Sequence, residues 1–221
     1  MTSSPVATLV LASGNPGKLR ELQDCLGSLR WSVVGLGGLG QVLPCQETGS
    51  TFEENARLKA VYYSGFSPHL TLADDSGLVV DALEGRPGVL SARFVSPDAT
   101  DEQRYLEVLR QLQNVPDAER TARFVCCLAL ARNGQVLSIF DGVVEGVIAR
   151  APLGSQGFGY DPIFYLPELG RTMAELEPEE KNRSSHRGRA LRKLMAELPA
   201  LAVTAPGNQH QDEDSGFQEN P

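Results

Sequence analysis

The sequence is short of basic charge. Lys and Arg number 20 against 28 Asp and Glu, a net charge of −8, so no global positive field exists to draw in nucleic acid or an anionic membrane. An anionic ligand must be held by a local cluster. Histidine is scarce as well, with three widely scattered residues, and the four cysteines (Cys25, Cys45, Cys126, Cys127) contain no CxxC pair. That combination offers no zinc-ligand spacing. Two of the cysteines are neighbours inside an apolar run, as expected of reduced thiols in a cytoplasmic protein. There is no GxSxG elbow to expose a serine, so Ser76, His186 and Asp75 match a hydrolase triad in composition only. The VATLVLA run near the start is too short to span a bilayer and lacks the basic flank of a signal peptide. No repeat of solenoid length is present.

What the chain does contain is enough apolar residue, 41%, to bury one large core. Residues 1–204 are expected to form a single domain. Residues 205–221 carry Asp212, Glu213, Asp214 and Glu219 with Phe217 as the sole sizeable apolar group, and are expected to be a disordered acidic tail. Residues 6–12 have strand length, and Leu19, Leu22 and Leu26 follow at helical spacing. A second strand is expected around Trp31–Val34. Thr51 opens a helix with Phe52, Ala56 and Val61 available for packing, and residues 70–73 make a short strand that ends at Asp74 and Asp75. Thr100 to Leu112 is amphipathic, with Tyr105, Leu106, Leu109 and Leu112. Strands at 121–131 and 136–140 flank Asn133-Gly134, a dipeptide suited to the type I′ hairpin turn because both residues take positive φ. Another strand at 143–149, a glycine-rich loop at 154–160 and a last helix from about Glu179 to Leu198 complete the reading. Strands alternating with helices, plus one hairpin, predict an α/β fold with a mixed sheet.

Gly35, Gly37 and Gly40 satisfy the GxGxxG spacing, but Pro44 follows and no amphipathic helix begins there, so the match is set aside. Ser13, Asn15 and Lys18 stand at a helix entrance, where free N–H groups and the dipole favour phosphate; Asn15 capping ahead of Pro16 explains the same residues without a ligand. Asp74 and Asp75, at the expected carboxyl end of a strand, suit a hard divalent cation such as Mg²⁺, although adjacent aspartates also occur in solvated turns. Glu54 can complete a metal site from the second helix or simply form a capping box with Thr51. Lys59 on that helix needs no special role. Gly157-Phe158-Gly159-Tyr160-Asp161 lets backbone and ring approach a planar ligand, or packs a core edge. Lys181 and Ser184-Ser185-His186-Arg187 gather donors near the last helix, as do many solvated faces.

In this order the blocks are more specific than any one of them. The chain resembles the inosine triphosphate pyrophosphatase (XTP/dITP diphosphatase) family in five segments: Ser13-Gly14-Asn15-Pro16-Gly17-Lys18; Thr51-Phe52-Glu53-Glu54-Asn55-Ala56 through Lys59-Ala60; Ala73-Asp74-Asp75-Ser76-Gly77-Leu78; Gly157-Phe158-Gly159-Tyr160-Asp161-Pro162; and Lys181 with Ser185-His186-Arg187. Pro87-Gly88-Val89 and Ser91-Ala92-Arg93-Phe94 are also similar, and the match covers roughly residues 6 to 200. The resemblance implies an elongated mixed sheet flanked by helices, two lobes around a central cleft, and a homodimer. It implies a purine nucleoside triphosphate substrate and Mg²⁺ as cofactor, with neither nucleic acid nor membrane as partner. By the same analogy Asp75 is the general base, and Asp75, Glu54 and Asp74 form the metal site. Ser13, Gly14, Asn15, Pro16, Gly17 and Lys18 bind the triphosphate, while Ser76, Phe158, Gly159, Tyr160, Asp161, Lys181, His186 and Arg187 contact substrate. His186 and Arg187 are expected to meet the 6-keto oxygen of hypoxanthine or xanthine. A pyrophosphatase for modified pyrimidines and a nucleotide-binding regulator without hydrolysis are the competing readings.

Overall fold

The computed structural model describes residues 7–27 and 31–203; the expected acidic tail lies outside them. In chain order the elements are β1 (Ala7–Ala12), α1 (Pro16–Leu26), β2 (Trp31–Gly35), α2 (Phe52–Ser64), β3 (Leu70–Val80), α3 (Asp101–Gln111), β4 (Thr121–Arg132), β5 (Gln135–Ile148), β6 (Phe164–Leu166), β7 (Arg171–Thr172), α4 (Pro178–Ser184) and α5 (His186–Val203). The strands form one open seven-stranded sheet in the order β2-β1-β3-β4-β5-β6-β7. β1 pairs in parallel with β2 and β3, and every other pairing is antiparallel. The predicted mixed α/β sheet flanked by helices is what forms.

The long strands β3, β4 and β5 carry a core at each end. At one end Leu9, Leu11, Leu72, Leu128 and Leu130 pack under Leu22 of α1 and Leu191, Leu194 and Leu198 of α5, while the opposite face packs Ala73, Ala129 and Ala131 against Ala56, Ala60 and Tyr63 of α2. At the other end Leu78, Val80, Phe124 and Ile148 pack against Val108 and Leu112 with Phe164 and Ile163. Asp74 to Gly77 therefore lie at the waist, between two apolar cores joined by the same strands.

Several local expectations change. β3 does not stop at residue 73: it runs to Val80 because β4 pairs with it continuously from Thr71–Ala131 to Val80–Ala122, so both aspartates sit inside a strand. β1 does stop, at the Ala12–Ala73 pair. On α2, Val61 faces outward and Lys59 is buried; on α3, Leu106 is exposed. The Asn133-Gly134 hairpin forms with φ of 51° and 76°, as the type I′ geometry requires. The expected last helix is two helices, α4 and α5, because Ser185 leaves the helical region at ψ 159°. Its Oγ accepts from the Gly188 amide at 3.0 Å, and α5 continues through Pro199. The Cys126 and Cys127 thiols are buried and unbridged; burial pushes Cys127 up to about 12, which keeps it protonated and unreactive. Among the described residues no helix is long and apolar enough to cross a membrane.

Asp141-Gly142 does not break the hairpin's second arm into two strands, because Gly142 pairs in register with Cys126. A Cβ at residue 142 would lie 2.0 Å from the His186 carbonyl oxygen and 2.8 Å from the Ala190 amide, so the missing side chain admits the start of α5 onto the sheet. Gly142→Ala is therefore expected to lose about 1–3 kcal/mol in equilibrium urea denaturation. Gly14→Ala, where nothing lies within 4 Å, should stay within about 0.5 kcal/mol. Equal stabilities would contradict the close crossing of α5 over β5.

Candidate active site

Asp74 and Asp75 are consecutive strand residues, so their side chains leave opposite faces of the sheet. Asp74 is 2% exposed and both its oxygens are engaged. Oδ1 accepts from Lys18 Nζ at 2.5 Å and Ser76 Oγ at 2.6 Å, and Oδ2 accepts from Arg187 Nε at 2.6 Å. Burial opposes ionisation, but the Arg187 and Lys18 charges outweigh it and hold the carboxyl well below the usual aspartate range. The chain of charges continues from Arg187 Nη1 to Glu21 at 2.6 Å, from Glu21 to Lys181 Nζ at 2.8 Å, and from Lys181 to Asp161 at 2.6 Å. Three cations alternate with three carboxylates, tying α1, β3, α4, α5 and the glycine-rich loop together. Burial would discharge Lys181, yet Asp161 and Glu21 beside it raise its pKa.

The opposite face holds a second cluster. Lys59 Nζ, on the buried side of α2, donates to Asp75 Oδ1 at 2.8 Å and pairs with Glu47 at 3.2 Å. Glu47 also pairs with Arg93 at 3.5 Å. Asp75 Oδ2 is buried without a hydrogen-bond partner among the described residues. Burial, reinforced by Glu47, lifts the Asp75 pKa above the ordinary range against the pull of Lys59 and Lys18. The two faces meet at one atom. Past the end of β1, the Asp74 carbonyl oxygen accepts from Lys59 Nζ at 2.9 Å and Lys18 Nζ at 3.3 Å.

On the Asp74 face an open cleft extends from Asn15, Lys18 and Ser76 to an aromatic end formed by Phe124, Phe158, Tyr160 and His186. Asn15 caps α1, accepting from the Gly17 and Lys18 amides at 2.8 and 3.2 Å, and Ser13 Oγ accepts from the Asn15 amide at 3.2 Å. Phe158 lies against Gly17, where a Cβ would come within 2.5 Å of the ring. Lys181 Nζ stands 4.6 Å from the centroid of that ring. The His186 imidazole stacks on Phe124 at 4.7 Å and 14°, and its Nδ1 has no partner among the described residues. Tyr160 Oη donates to the Ser91 carbonyl at 2.9 Å. Gly157, at φ +77°, must lack a side chain because a Cβ would lie 2.1 Å from Asp161 Oδ2.

The structure thus gathers the predicted Asn15, Lys18, Ser76, Phe158, Gly159, Tyr160, Asp161, Lys181, His186 and Arg187 around one cleft, with Ser13, Gly14, Pro16 and Gly17 forming the turn and first residues of α1. It does not gather Asp75, Asp74 and Glu54 into one metal site. Asp74 faces away from Asp75 and is saturated by cations. Glu54 is exposed, its carboxylate accepting from the Ser50 amide at 2.7 Å and Ser50 Oγ at 2.8 Å. Among the described residues no group of three His, Cys, Asp or Glu is arranged to hold a metal ion. Arg187 is 4% exposed and bound to Asp74 and Glu21, so its chief partners belong to the protein rather than to a base. Sequence reasoning missed Glu21 and Glu47. Glu21 stands three residues after Lys18 on one face of α1, a signal that helical spacing carries; Glu47 lies in irregular chain and has none.

His186 supplies a pH test. Burial, joined by the charges of Arg187, Lys181 and Lys18 and opposed by Asp74, lowers its pKa well below the usual value, so the fold holds it neutral. The unfolded chain takes up a proton below about pH 6.5, and stability must therefore fall as pH falls. Glu21 acts in the same direction lower down. Burial opposes its ionisation, but Arg187 and Lys181 depress its pKa, and the resulting stabilisation is lost below about pH 4.3. His186→Phe, which keeps a ring over Phe124, is expected to remove up to about 2 kcal/mol of the stability lost between pH 7 and pH 5. Parallel stability curves for the two proteins would show that His186 is protonated within the fold.

The arrangement has relatives. The profile of the Ham1 family matches residues 9–197. A dITP/XTP pyrophosphatase of Exiguobacterium is 49% identical over 191 residues, 86% of this chain and 96% of that protein. One of Geobacillus kaustophilus is 50% identical over 186 residues, 84% and 91% of the two chains. Among solved structures, a HAM1 protein from Coxiella burnetii superposes with a TM-score of 0.79 at 46% identity, covering 88% of this chain and 99% of its own. The Ham1 protein of Staphylococcus aureus gives 0.77 at 40%, with the same coverages. The resemblance first carried by five motifs is borne out over nearly the whole length of these proteins, and the chain belongs to the Ham1 family.

Proposed function

We propose that this protein hydrolyses noncanonical purine nucleoside triphosphates (ITP, dITP, XTP) between the α and β phosphorus atoms, releasing nucleoside monophosphate and pyrophosphate. The observation that carries the mechanism is the buried Asp75 carboxylate with one oxygen unpartnered, beside two lysines converging at the edge of β3. Its relatives named as dITP/XTP pyrophosphatases support the substrate class.

The phosphates take the amino end of α1, where the helix dipole and the Lys18 ammonium favour anionic oxygens. Lys18 and Lys59, one from each face, brace the oxygens on which charge develops. Water attacks the α phosphorus in line with the leaving pyrophosphate, and Asp75 accepts its proton; the raised pKa makes Asp75 a better base at neutral pH than an ordinary aspartate. The Asp75 and Glu47 carboxylates, hard oxygen donors that share Lys59, would hold a divalent cation, Mg²⁺ on this reading, beside the phosphates. When bound it would neutralise phosphate charge and polarise the water. At the other end the base enters among Phe158, Phe124 and His186, stacking on a ring and meeting the unpaired imidazole nitrogen. A homodimer in the cytoplasm completes the proposal, and light scattering in solution should report twice the chain mass.

The deciding assay incubates the protein with ITP, XTP, GTP and ATP, with Mg²⁺ or excess chelator, and identifies products by ion-exchange chromatography. IMP and pyrophosphate formed only with metal, and far faster than products from GTP or ATP, is the expected result; orthophosphate and IDP would overturn attack at the α phosphorus. Asp75→Asn should reduce kcat by about 10²- to 10⁴-fold without loss of fold by circular dichroism. Glu47→Gln should raise the Mg²⁺ concentration needed for half-maximal rate, whereas Glu54→Gln should not. The reverse order would restore Glu54 as the ligand.

A further inference from the structure

Four buried side-chain nitrogen or oxygen atoms lack a hydrogen-bond partner among the described residues, and they belong to Asn55, Asp75, Arg104 and His186. Asp75 and His186 are in the site already described. Arg104 is on α3, in none of the motifs, yet it lines the same cleft as His186. Its side chain is 14% exposed, and the orphan is Nε, a donor whose burial is costly until an acceptor meets it.

Arg104 is fixed rather than loose. Asp101, one helical turn earlier, accepts from Arg104 Nη1 at 2.9 Å through Oδ1. Its Oδ2 accepts from the Gly159 amide at 2.7 Å. One carboxylate therefore sets both the guanidinium and the glycine-rich loop that carries Phe158. Nη2 reaches the Pro97 carbonyl at 3.5 Å, so Nε is the guanidinium nitrogen that meets no acceptor among the described residues.

Charge and position decide what that donor meets. Asp101 already balances the guanidinium, so what remains is a directional N–H and not an uncompensated cation. The anion-binding groups, Lys18 and Lys59, converge on the Asp74 carbonyl, whereas Asp101 holds Arg104 beside the loop of Phe158, Gly159 and Tyr160. A neutral acceptor on the base fits such a donor better than a phosphate oxygen does.

We infer that Arg104 is a specificity-determining residue, its Nε–H donating to the keto oxygen of the purine base, with Asp101 as the residue that positions it. The inference rests on the pyrophosphatase reading and adds the side chain that reads the base. A keto oxygen accepts this bond, while the amino group of adenine at the same place brings a donor against a donor.

The test uses the full-length protein carrying Arg104→Ala or Arg104→Lys. Calorimetric titration with IMP, which needs no turnover, is read beside KM and kcat for ITP and inhibition by inorganic tripolyphosphate. Arg104→Ala is expected to weaken IMP binding and raise KM for ITP by about ten- to a hundredfold, with kcat and tripolyphosphate inhibition within about twofold. Arg104→Lys, a cation without the planar fork, should recover part of the loss. Thermal unfolding of each variant confirms that it is folded. Equal weakening of IMP and tripolyphosphate would assign Arg104 to phosphate and overturn the inference, as would unchanged IMP binding. A wild-type protein that binds IMP but cleaves no triphosphate would overturn the pyrophosphatase reading instead, and the IMP titrations would still decide the role of Arg104.

Discussion

The pairing of Asp74 with Arg187, 2.6 Å apart and both almost wholly buried, is the contact on which the site depends. It fixes the first turn of α5 to the centre of β3, and through Glu21 and Lys181 it fixes α1 and the Asp161 loop as well. A buried ion pair of this kind is weak evidence for net stability, because desolvating both charges offsets most of their attraction. Removing one partner is another matter, since it strands a buried charge at about 3–5 kcal/mol. The alternating chain is therefore hard to break piecemeal and holds a single geometry, which is what a site needs if its groups are to be in place before the ligand arrives.

Strand alternation then divides the labour. Because Asp74 and Asp75 are neighbours on β3, one carboxylate is given to scaffolding on one face and the other is left with a free oxygen on the opposite face. Continuous pairing to β4 makes that alternation rigid. The early end of β1 uncovers the edge of β3 just where the two faces must communicate, at the Asp74 carbonyl. On the proposed reading a ligand lying across that edge would place its base in the aromatic cleft and its reacting phosphorus beside Asp75, an arrangement that two carboxylates in a flexible turn could not enforce.

Much of this was legible in the residues. The first strands, the mixed sheet, the Asn133-Gly134 turn and the motif residues around the cleft follow from local periodicity, turn chemistry and family resemblance, whereas the short strands β6 and β7 at the sheet's far edge were not expected. What was not legible depended on partners distant in sequence. Residues 70–73 read as a short strand because two aspartates interrupt the apolar run, and only the pairing with β4 carries the strand through to Val80. Gly142 reads as a break until α5 is laid over it. Lys59 reads as a surface lysine until α2 turns it toward Asp75, and Glu54 attracts attention as an acid beside a motif although Ser50 and Thr51 account for it. Glu47, in irregular chain, becomes visible only through the lysine it shares with Asp75.

Charge explains why such a site needs more than the protein's own side chains. Lys18, Arg187 and Lys181 are matched by Asp74, Glu21 and Asp161, and Lys59 and Arg93 by Asp75 and Glu47. Each face is neutral as built, in a chain whose overall charge is −8. The helix dipole and redirected lysine protons can orient phosphates but cannot cancel several negative charges brought into a half-buried cleft. On the proposed reading a divalent cation would supply the missing positive charge, and the Asp75 and Glu47 carboxylates would hold it beside the phosphates. On that reading a neutral site would discriminate by hydrogen-bond pattern at the base end and leave charge compensation to the metal, so that affinity for the triphosphate and selectivity for the base would be set by different parts of the molecule.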